Sequence, residues 1–181
     1  MKNLFIMILS SIGIISCSSC GSKTPSATAP DATAIVDAAT PLRPLLIKKD
    51  SWELTFPSQG WVESTTCGQN SCPLGLYLFT NKDIKNVLVV LSENYNDTFE
   101  KYILNSLQGL KGSGANVLSL KQSNLDNHKF MVFESVKDDA KVWTWVGLVN
   151  KQGYQLSCGG PSVDILQHDV CLSIANTFHI K

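Results

Sequence analysis

The stretch that decides the fold runs from Lys129 to Cys158 and reads KFMVFESVKDDAKVWTWVGLVNKQGYQLSC. Its β-branched and aromatic runs predict three strands, at about 129–136, 142–149 and 154–158. Only short turns, at 138–139 and 150–153, separate these strands. Since a parallel crossover needs roughly a dozen residues or more, the three strands are predicted to be antiparallel neighbours.

Patterns on both sides of this stretch extend the prediction to a single domain at 45–181. Apolar runs predict earlier strands at about 52–56, 61–62, 74–80, 87–92 and 117–122. A helix is predicted at 97–108, where Asp97 can cap the N-terminus and glycines follow the last turn. A second helix is predicted within 162–177.

Several predicted strands are apolar on both faces, as in residues 87–91, VLVVL. An antiparallel sheet with one face in water would alternate apolar and polar residues instead. Both faces are therefore expected to be covered, with one helix on each side. The predicted fold class is α+β: a mostly antiparallel sheet with helices on both faces, which is an α/β/α sandwich.

The N-terminus predicts export and lipidation. Lys2 precedes an apolar run at 4–15 that has signal-peptide length and is too short to span a bilayer comfortably. The run ends in IISC, which resembles a bacterial lipobox and predicts a signal peptide at 1–16 and acyl chains, palmitate included, on Cys17. An ordinary secretory signal is the alternative. Cys20 is a poorer lipidation candidate, because the three residues before it, Cys17-Ser18-Ser19, do not begin with an aliphatic residue.

Residues 17–44 are rich in Ser, Thr, Ala and Pro and are predicted to form a flexible tether. The short apolar patch at 34–36, Ala-Ile-Val, is the part of the tether that is expected to be able to dock on a surface. Ser18 after the lipidated cysteine favours the outer membrane, facing the periplasm, if the cell is Gram-negative. We therefore expect a protein of the cell envelope, held to a membrane by its lipid anchor in an oxidising compartment.

Charge and motif content exclude several functions. The 15 Lys and Arg residues balance 15 Asp and Glu, so no nucleic-acid partner is expected. His128, His168 and His179 are scattered, and none adjoins a nucleophile. The acidic pair Asp138-Asp139 is better explained as a solvated turn than as a glycosidase pair. No catalytic residue, metal site or cofactor is predicted, and the protein is not expected to be an enzyme.

Four cysteines fall in the predicted domain, and three pairings of them are possible. Closure of short loops favours disulfides between Cys67 and Cys72 and between Cys158 and Cys171. The second bond would require the last helix to start near residue 167 or 168, because Cys171 must lie close to its beginning. A redox role for Cys67 and Cys72, or a zinc site at Cys171, is the less favoured alternative.

Trp143 and Trp145 share one face of a predicted strand. Packing in the core under a helix is the favoured interpretation. The alternative is a partly exposed aromatic patch that binds a protein partner.

Apolar residues at both ends of the domain carry a family resemblance. They are Trp52, Leu54, Phe56, Pro57, Gly60 and Trp61 at the start, and Ile174 and Phe178 at the end. With the order of predicted elements, they resemble the PsbP-like fold, especially the bacterial DcrB-type lipoproteins. The resemblance implies an α/β/α sandwich without a common catalytic site, used as a binding or assembly module.

The sequence therefore predicts a lipid-anchored envelope protein that acts as a non-catalytic protein-binding or assembly module. The first alternative is a small-ligand carrier or enzyme whose pocket lies between sheet and helix. Such a pocket would need convergent polar groups from residues such as Glu134, Ser157 or Asn150. The second alternative is an immunity or exclusion lipoprotein.

Overall fold

The computed structural model describes residues 44–161 and 167–181. The predicted signal peptide at 1–16, the lipidation site Cys17 and all of the tether before residue 44 lie outside the described residues. No helix in the described ranges is long and apolar enough to cross a membrane.

Strands dominate the described residues. In chain order they are β1 Leu45–Lys48, β2 Trp52–Phe56, β3 Trp61–Ser64, β4 Thr66–Cys67, β5 Asn70–Ser71, β6 Leu76–Asn81, β7 Asn86–Asn94, β8 Asn116–Leu125, β9 His128–Lys137, β10 Ala140–Val149, β11 Gln152–Pro161 and β12 His179–Ile180. The helices are α1 Phe99–Gly112 and α2 Gln167–Ala175.

A seven-stranded sheet in the order β3-β6-β7-β11-β10-β9-β8 forms the centre of the domain, and every neighbouring pair is antiparallel. The predicted meander of β9, β10 and β11 is confirmed. Its turns use residues in the left-handed region, including Asp138 with φ 52° and Asn150 with φ 50°, as tight hairpins require. A three-stranded sheet, β1-β2-β12, and the small hairpin β4-β5 complete the described strands.

Helix α1 begins and ends later than predicted. Thr98, not Asp97, is the N-cap, and its side-chain oxygen accepts a hydrogen bond from the N–H of Lys101 at 3.3 Å. Asp97 instead accepts a bond from the N–H of Thr98 and pairs with the Lys101 ammonium at 2.6 Å. The helix continues to Gly112, because the left-handed residue that ends it is Gly114, with φ +85°.

Helix α1 packs on one face of the seven-stranded sheet, over β8 and β10. Its residues Tyr102 and Leu110 are buried in one cluster with Phe133 of β9 and Val146 of β10. Successive side chains of a strand point to opposite faces, so Trp145, the neighbour of Val146, points away from α1.

The second face is covered by a mixed layer. The larger core cluster joins Trp145 to Trp52, Leu54 and Phe56 of β2 and to Ile174 of α2. The segment WELTF alternates buried and partly exposed residues, and this alternation turns the apolar side of β2 inward. The small sheet and α2 therefore share this layer, which differs from the predicted layer made of a helix alone.

Candidate interaction surface

Both favoured cysteine pairs are disulfides in the structure. Cys67 bonds to Cys72 and closes the hairpin of β4 and β5. Cys158 of β11 bonds to Cys171 of α2. Helix α2 begins at Gln167, within the range that the second bond required. The bonded Cys171 has no thiolate to offer to a metal ion.

The two tryptophans singled out in the sequence belong to the core. Trp143 is 6% exposed and Trp145 is 2% exposed. Trp145 lies among the side chains of the larger core cluster, and the Trp143 ring packs 5.1 Å from the His168 ring, between ring centres. The alternative of an exposed aromatic patch is therefore wrong, because neither indole presents its face to solvent.

The polar residues that a ligand pocket would need do not converge. Glu134 lies opposite Trp143 in the register of β9 and β10, whereas Ser157 lies opposite Thr144 in that of β10 and β11. Neighbouring residues of β10 point to opposite faces, so Glu134 and Ser157 lie on different sides of the sheet. Asn150 is exposed in the turn before β11.

Two carboxylates of the domain are engaged in structural contacts. Glu134 binds the Lys141 ammonium at 2.6 Å, and this contact lowers the pKa of its carboxyl. Burial raises the pKa of Asp126, but bonds from the Ile180 N–H at 2.9 Å and the His179 ring at 2.8 Å outweigh burial and lower it. In the described part of the chain, no group of three or more His, Cys, Asp or Glu side chains could hold a metal ion.

An apolar surface remains on the α1 side of the sheet, beyond the helix. The strand register brings its members together on β3, β6 and β7: Val62, Leu78, Thr80, Val87, Val89 and Leu91. We call these six residues the open half-face. Leu91 lies opposite Gln155, whose side chain donates to the Tyr102 hydroxyl of α1, so this surface and α1 share one side of the sheet.

The open half-face belongs to neither core cluster of the described residues. Val62 is 64% exposed, and the other five members are partly exposed. On the opposite side of the same strands, Phe79, Leu88 and Val90 are fully buried. The prediction that both faces of 87–91 are covered is therefore wrong for the described residues.

The width of the sheet explains why α1 leaves this region uncovered. Seven strands about 4.8 Å apart span roughly 29 Å, whereas one helix with its side chains is about 10–12 Å across. Helix α1 packs on β10 and β8 and reaches the end of β7 through the bond of Tyr102 to Glu93, so β3, β6 and residues 87–91 of β7 lie outside its footprint. The sequence already indicated an uncovered region, because it predicted more strands than one helix on each face can cover.

The margin of the open half-face at β3 is a shallow depression of about 590 Å³. Its lining combines apolar, hydroxyl and charged residues, including Val62, Ser64, Thr80, Lys82 and Asp83. The loop closed by the Cys67–Cys72 disulfide follows β3 and leads to Leu74, whose side chain is fully exposed.

A buried polar network fixes α1 beside the open half-face. The Gln155 amide donates to the hydroxyls of Tyr102 at 3.2 Å and Ser106 at 3.1 Å, and the Tyr102 hydroxyl donates to Glu93 at 3.3 Å. Burial raises the pKa of the Glu93 carboxyl and raises that of the Tyr102 phenol far above its ordinary value. Gly153 lies directly against the Tyr102 ring, where a larger residue would clash.

No protein-family model matches the chain, and no curated protein matches it. Solved structures do match. The cyanobacterial PsbP, CyanoP, from Synechocystis sp. PCC 6803 aligns with 83% of this chain and 98% of its own, at a TM-score of 0.59 and 15% identity. The fold is PsbP-like. This result confirms the fold to which the apolar residues at both ends of the domain pointed.

Two further structures are similar to this PsbP-like domain. A protein from Bacteroides thetaiotaomicron is 12% identical over 72% of this chain and 45% of its own, with a TM-score of 0.51. The Saccharomyces cerevisiae Ran-binding protein Mog1p is 10% identical over 77% of this chain and 96% of its own, with a TM-score of 0.53. Identities this low establish the fold and nothing about activity.

Proposed function

We propose that this protein is a lipid-anchored, non-catalytic module of the cell envelope whose PsbP-like domain binds a protein partner through the open half-face. The observation that carries the proposal is the uncovered aliphatic surface of β3, β6 and β7. Contiguous exposed apolar surface rimmed by polar residues is typical of protein-binding sites.

The composition of the open half-face suits a protein more than a small polar ligand. Five of its six members are Val or Leu, and none is charged. Covering apolar surface stabilises a complex by about 25 cal/mol per Å², and full burial of one Val or Leu is worth about 1.5–3 kcal/mol. The depression beside β3 is shallow, so an occupant would lie across the sheet and would not be enclosed by it.

The sequence and the disulfides support the proposed location. Cys17 would carry the lipid, and Ser18 would direct the protein to the outer membrane of a Gram-negative cell, facing the periplasm. Disulfides such as Cys67–Cys72 and Cys158–Cys171 persist in oxidising compartments of this kind. The DcrB-type lipoproteins remain the family to which we assign the protein within this proposal.

A solved structure with a similar fold supports a protein-binding function. Mog1p is described as a Ran-binding protein, so a PsbP-like fold serves protein binding in at least that case. In our proposal the α/β/α sandwich is complete only in the complex: α1 and α2 supply helices on opposite faces, and the partner covers the open half-face. An immunity or exclusion lipoprotein would be a special case in which the partner is a toxin or phage protein.

Crosslinking in intact cells, followed by mass spectrometry, tests the proposal. We expect the wild-type protein to capture a discrete envelope protein and Val62→Asp to capture about tenfold less of it, which corresponds to roughly 1.4 kcal/mol of lost binding. Leu118→Asp is the matched control, because Leu118 is 52% exposed against 64% for Val62 but lies on β8, at the far edge of the sheet.

Cys17→Ala supplies the unanchored control in the same experiment. Capture that depends on Cys17 and Val62, but not on Leu118, supports the proposal. Equal capture by the Val62→Asp and Leu118→Asp proteins would refute the assigned surface. A small molecule retained by the purified domain, without any captured protein, would favour a carrier or an enzyme instead.

A further inference from the structure

We propose that the tether of this same chain covers the open half-face when no partner is bound, through residues 33–37, Thr-Ala-Ile-Val-Asp, which we call the TAIVD segment. The described domain leaves an aliphatic surface in water, and this segment is an aliphatic part of the chain close to it in sequence. Only the competition with a partner, stated below, rests on the proposed function.

The chain enters the described domain beside the edge of the open half-face. Leu45, the first residue of β1, lies opposite Phe56 at the end of β2. The Phe56 ring stacks on the ring of Trp61, with centroids 4.6 Å apart. Trp61 begins β3, an edge strand of the seven-stranded sheet, and the next residue, Val62, belongs to the open half-face. The described chain therefore begins on the α2 side of the sheet, next to the β3 edge that borders the open half-face.

The intervening chain is long enough for the TAIVD segment to reach the surface. Val36 lies eight positions before Pro44, and an extended chain of eight steps spans about 27 Å. The path from the small sheet around β3 to the α1 side crosses two layer spacings of about 10 Å, and β6 lies one strand spacing of about 4.8 Å from β3, roughly 25 Å in all. The segment can therefore reach β3 and β6 without displacing β1.

The composition of the tether singles out the same segment. Between residues 17 and 44, the aliphatic residues larger than Ala are Ile35, Val36 and Leu42. Leu42 is only two residues from Pro44 and can reach about 7 Å, so it stops short of the surface. Ile35 and Val36 match the Val and Leu side chains of the open half-face in chemistry, and β-branched residues favour the extended conformation that lies flat on a sheet.

A partner would then have to displace the TAIVD segment before it could bind. A short tether holds such a segment at a millimolar effective concentration, so even a weak contact occupies the surface for part of the time. Occupancy of one half lowers the apparent affinity for a partner about twofold, and higher occupancy lowers it further.

Methyl NMR of the mature lipidated protein in detergent micelles tests the inference. The variant Ile35→Asp/Val36→Asp should shift the methyl resonances of the open half-face, while the methyls under α1 stay unchanged. The matched control Thr28→Asp/Ala29→Asp adds the same charge to the tether outside the TAIVD segment and removes no Ile or Val, so it should leave the same resonances in place.

Contacts between Ile35 and open half-face methyls in the wild-type protein would establish the inference directly. It is overturned if Ile35→Asp/Val36→Asp leaves those methyls unmoved, or if their positions change with protein concentration, since a second copy would then be the occupant. The outcome is separable from the proposed function: unmoved methyls with partner capture still lost in Val62→Asp would overturn this inference alone. If both proposals hold, Ile35→Asp/Val36→Asp captures about twice as much partner or more.

Discussion

The substitution Gly153→Ala should destabilise the domain, because it forces a methyl group between β11 and α1. A Cβ atom at Gly153 would lie 2.6 Å from the hydroxyl oxygen of Tyr102 and would also clash with the ring. Tyr102 is buried and cannot swing into solvent. The ring must therefore shift, and its hydrogen bonds with Glu93 and Gln155 must lengthen or break.

The expected size follows from these contacts. Overpacking of a core position costs about 1–3 kcal/mol, and each hydrogen bond that is lost adds about 0.5–1.5 kcal/mol. Part of the strain relaxes, so we expect the free energy of unfolding to fall by about 2–4 kcal/mol and the melting temperature by about 10 °C.

Thermal unfolding under non-reducing conditions, followed by circular dichroism, measures this effect. The matched control is Gly112→Ala in the last turn of α1, where an added Cβ meets no atom within 4 Å. The control should keep or slightly raise the melting temperature, since Ala is favoured over Gly in a helix by up to about 1 kcal/mol. A Gly153→Ala protein that melts with the wild type would refute the contact between Tyr102 and β11.

Further predictions concern pH, the C-terminal strand and a disulfide. Burial raises the pKa of folded Glu93, so its contribution to stability is full at low pH and is lost as the pH rises through that raised pKa. Glu93→Gln should therefore melt above the wild type at pH 7, and the difference should vanish below about pH 4 in a pH series of melting curves. Asp126→Asn weakens the contacts that hold β12, so hydrogen exchange at the Ile180 amide should become faster while that of β10 stays unchanged. Replacing Cys158 and Cys171 by Ala should cost about 3 kcal/mol in denaturant unfolding, and an unchanged midpoint would contradict a structural role.

Local patterns were enough to predict the meander of β9, β10 and β11. Its strands follow one another through short turns, so the residues that pair are close in sequence and turn chemistry sets the register. The disulfide of Cys158 and Cys171 followed from the same locality, and the described helix α2, Gln167–Ala175, agrees with the range that this bond required.

Long-range pairing was not predictable in the same way. The strand β12 is only two residues long and pairs with β2 from the opposite end of the domain. Such a short strand leaves no periodicity in the sequence. The mixed layer over Trp145 was missed for this reason, since a small sheet shares that face with α2.

The candidate site was predicted least well. The apolar pattern of 87–91 showed that both faces of β7 are apolar, but it did not say whether the chain itself covers both of them. Trp143 and Trp145 share one face of a predicted strand, and this pattern fits a core position and an exposed patch equally well. In the structure both are core residues. The predicted sheet is wider than one helix per face can cover. That comparison would have predicted an uncovered region, which the structure shows at β3, β6 and β7.

The position of β1 has a mechanical consequence for an anchored protein. It joins the domain through four residue pairs with β2, and its other edge has no strand partner among the described residues. If the proposed lipid anchor and a bound partner pull the domain from both sides, this small contact is loaded first. We expect β1 to peel away before the seven-stranded sheet yields, and its four residues would lengthen the connection to the membrane by about 13 Å. The released β1 would thus lengthen the tether. The proposed anchor and partner could then move apart while the open half-face stays folded.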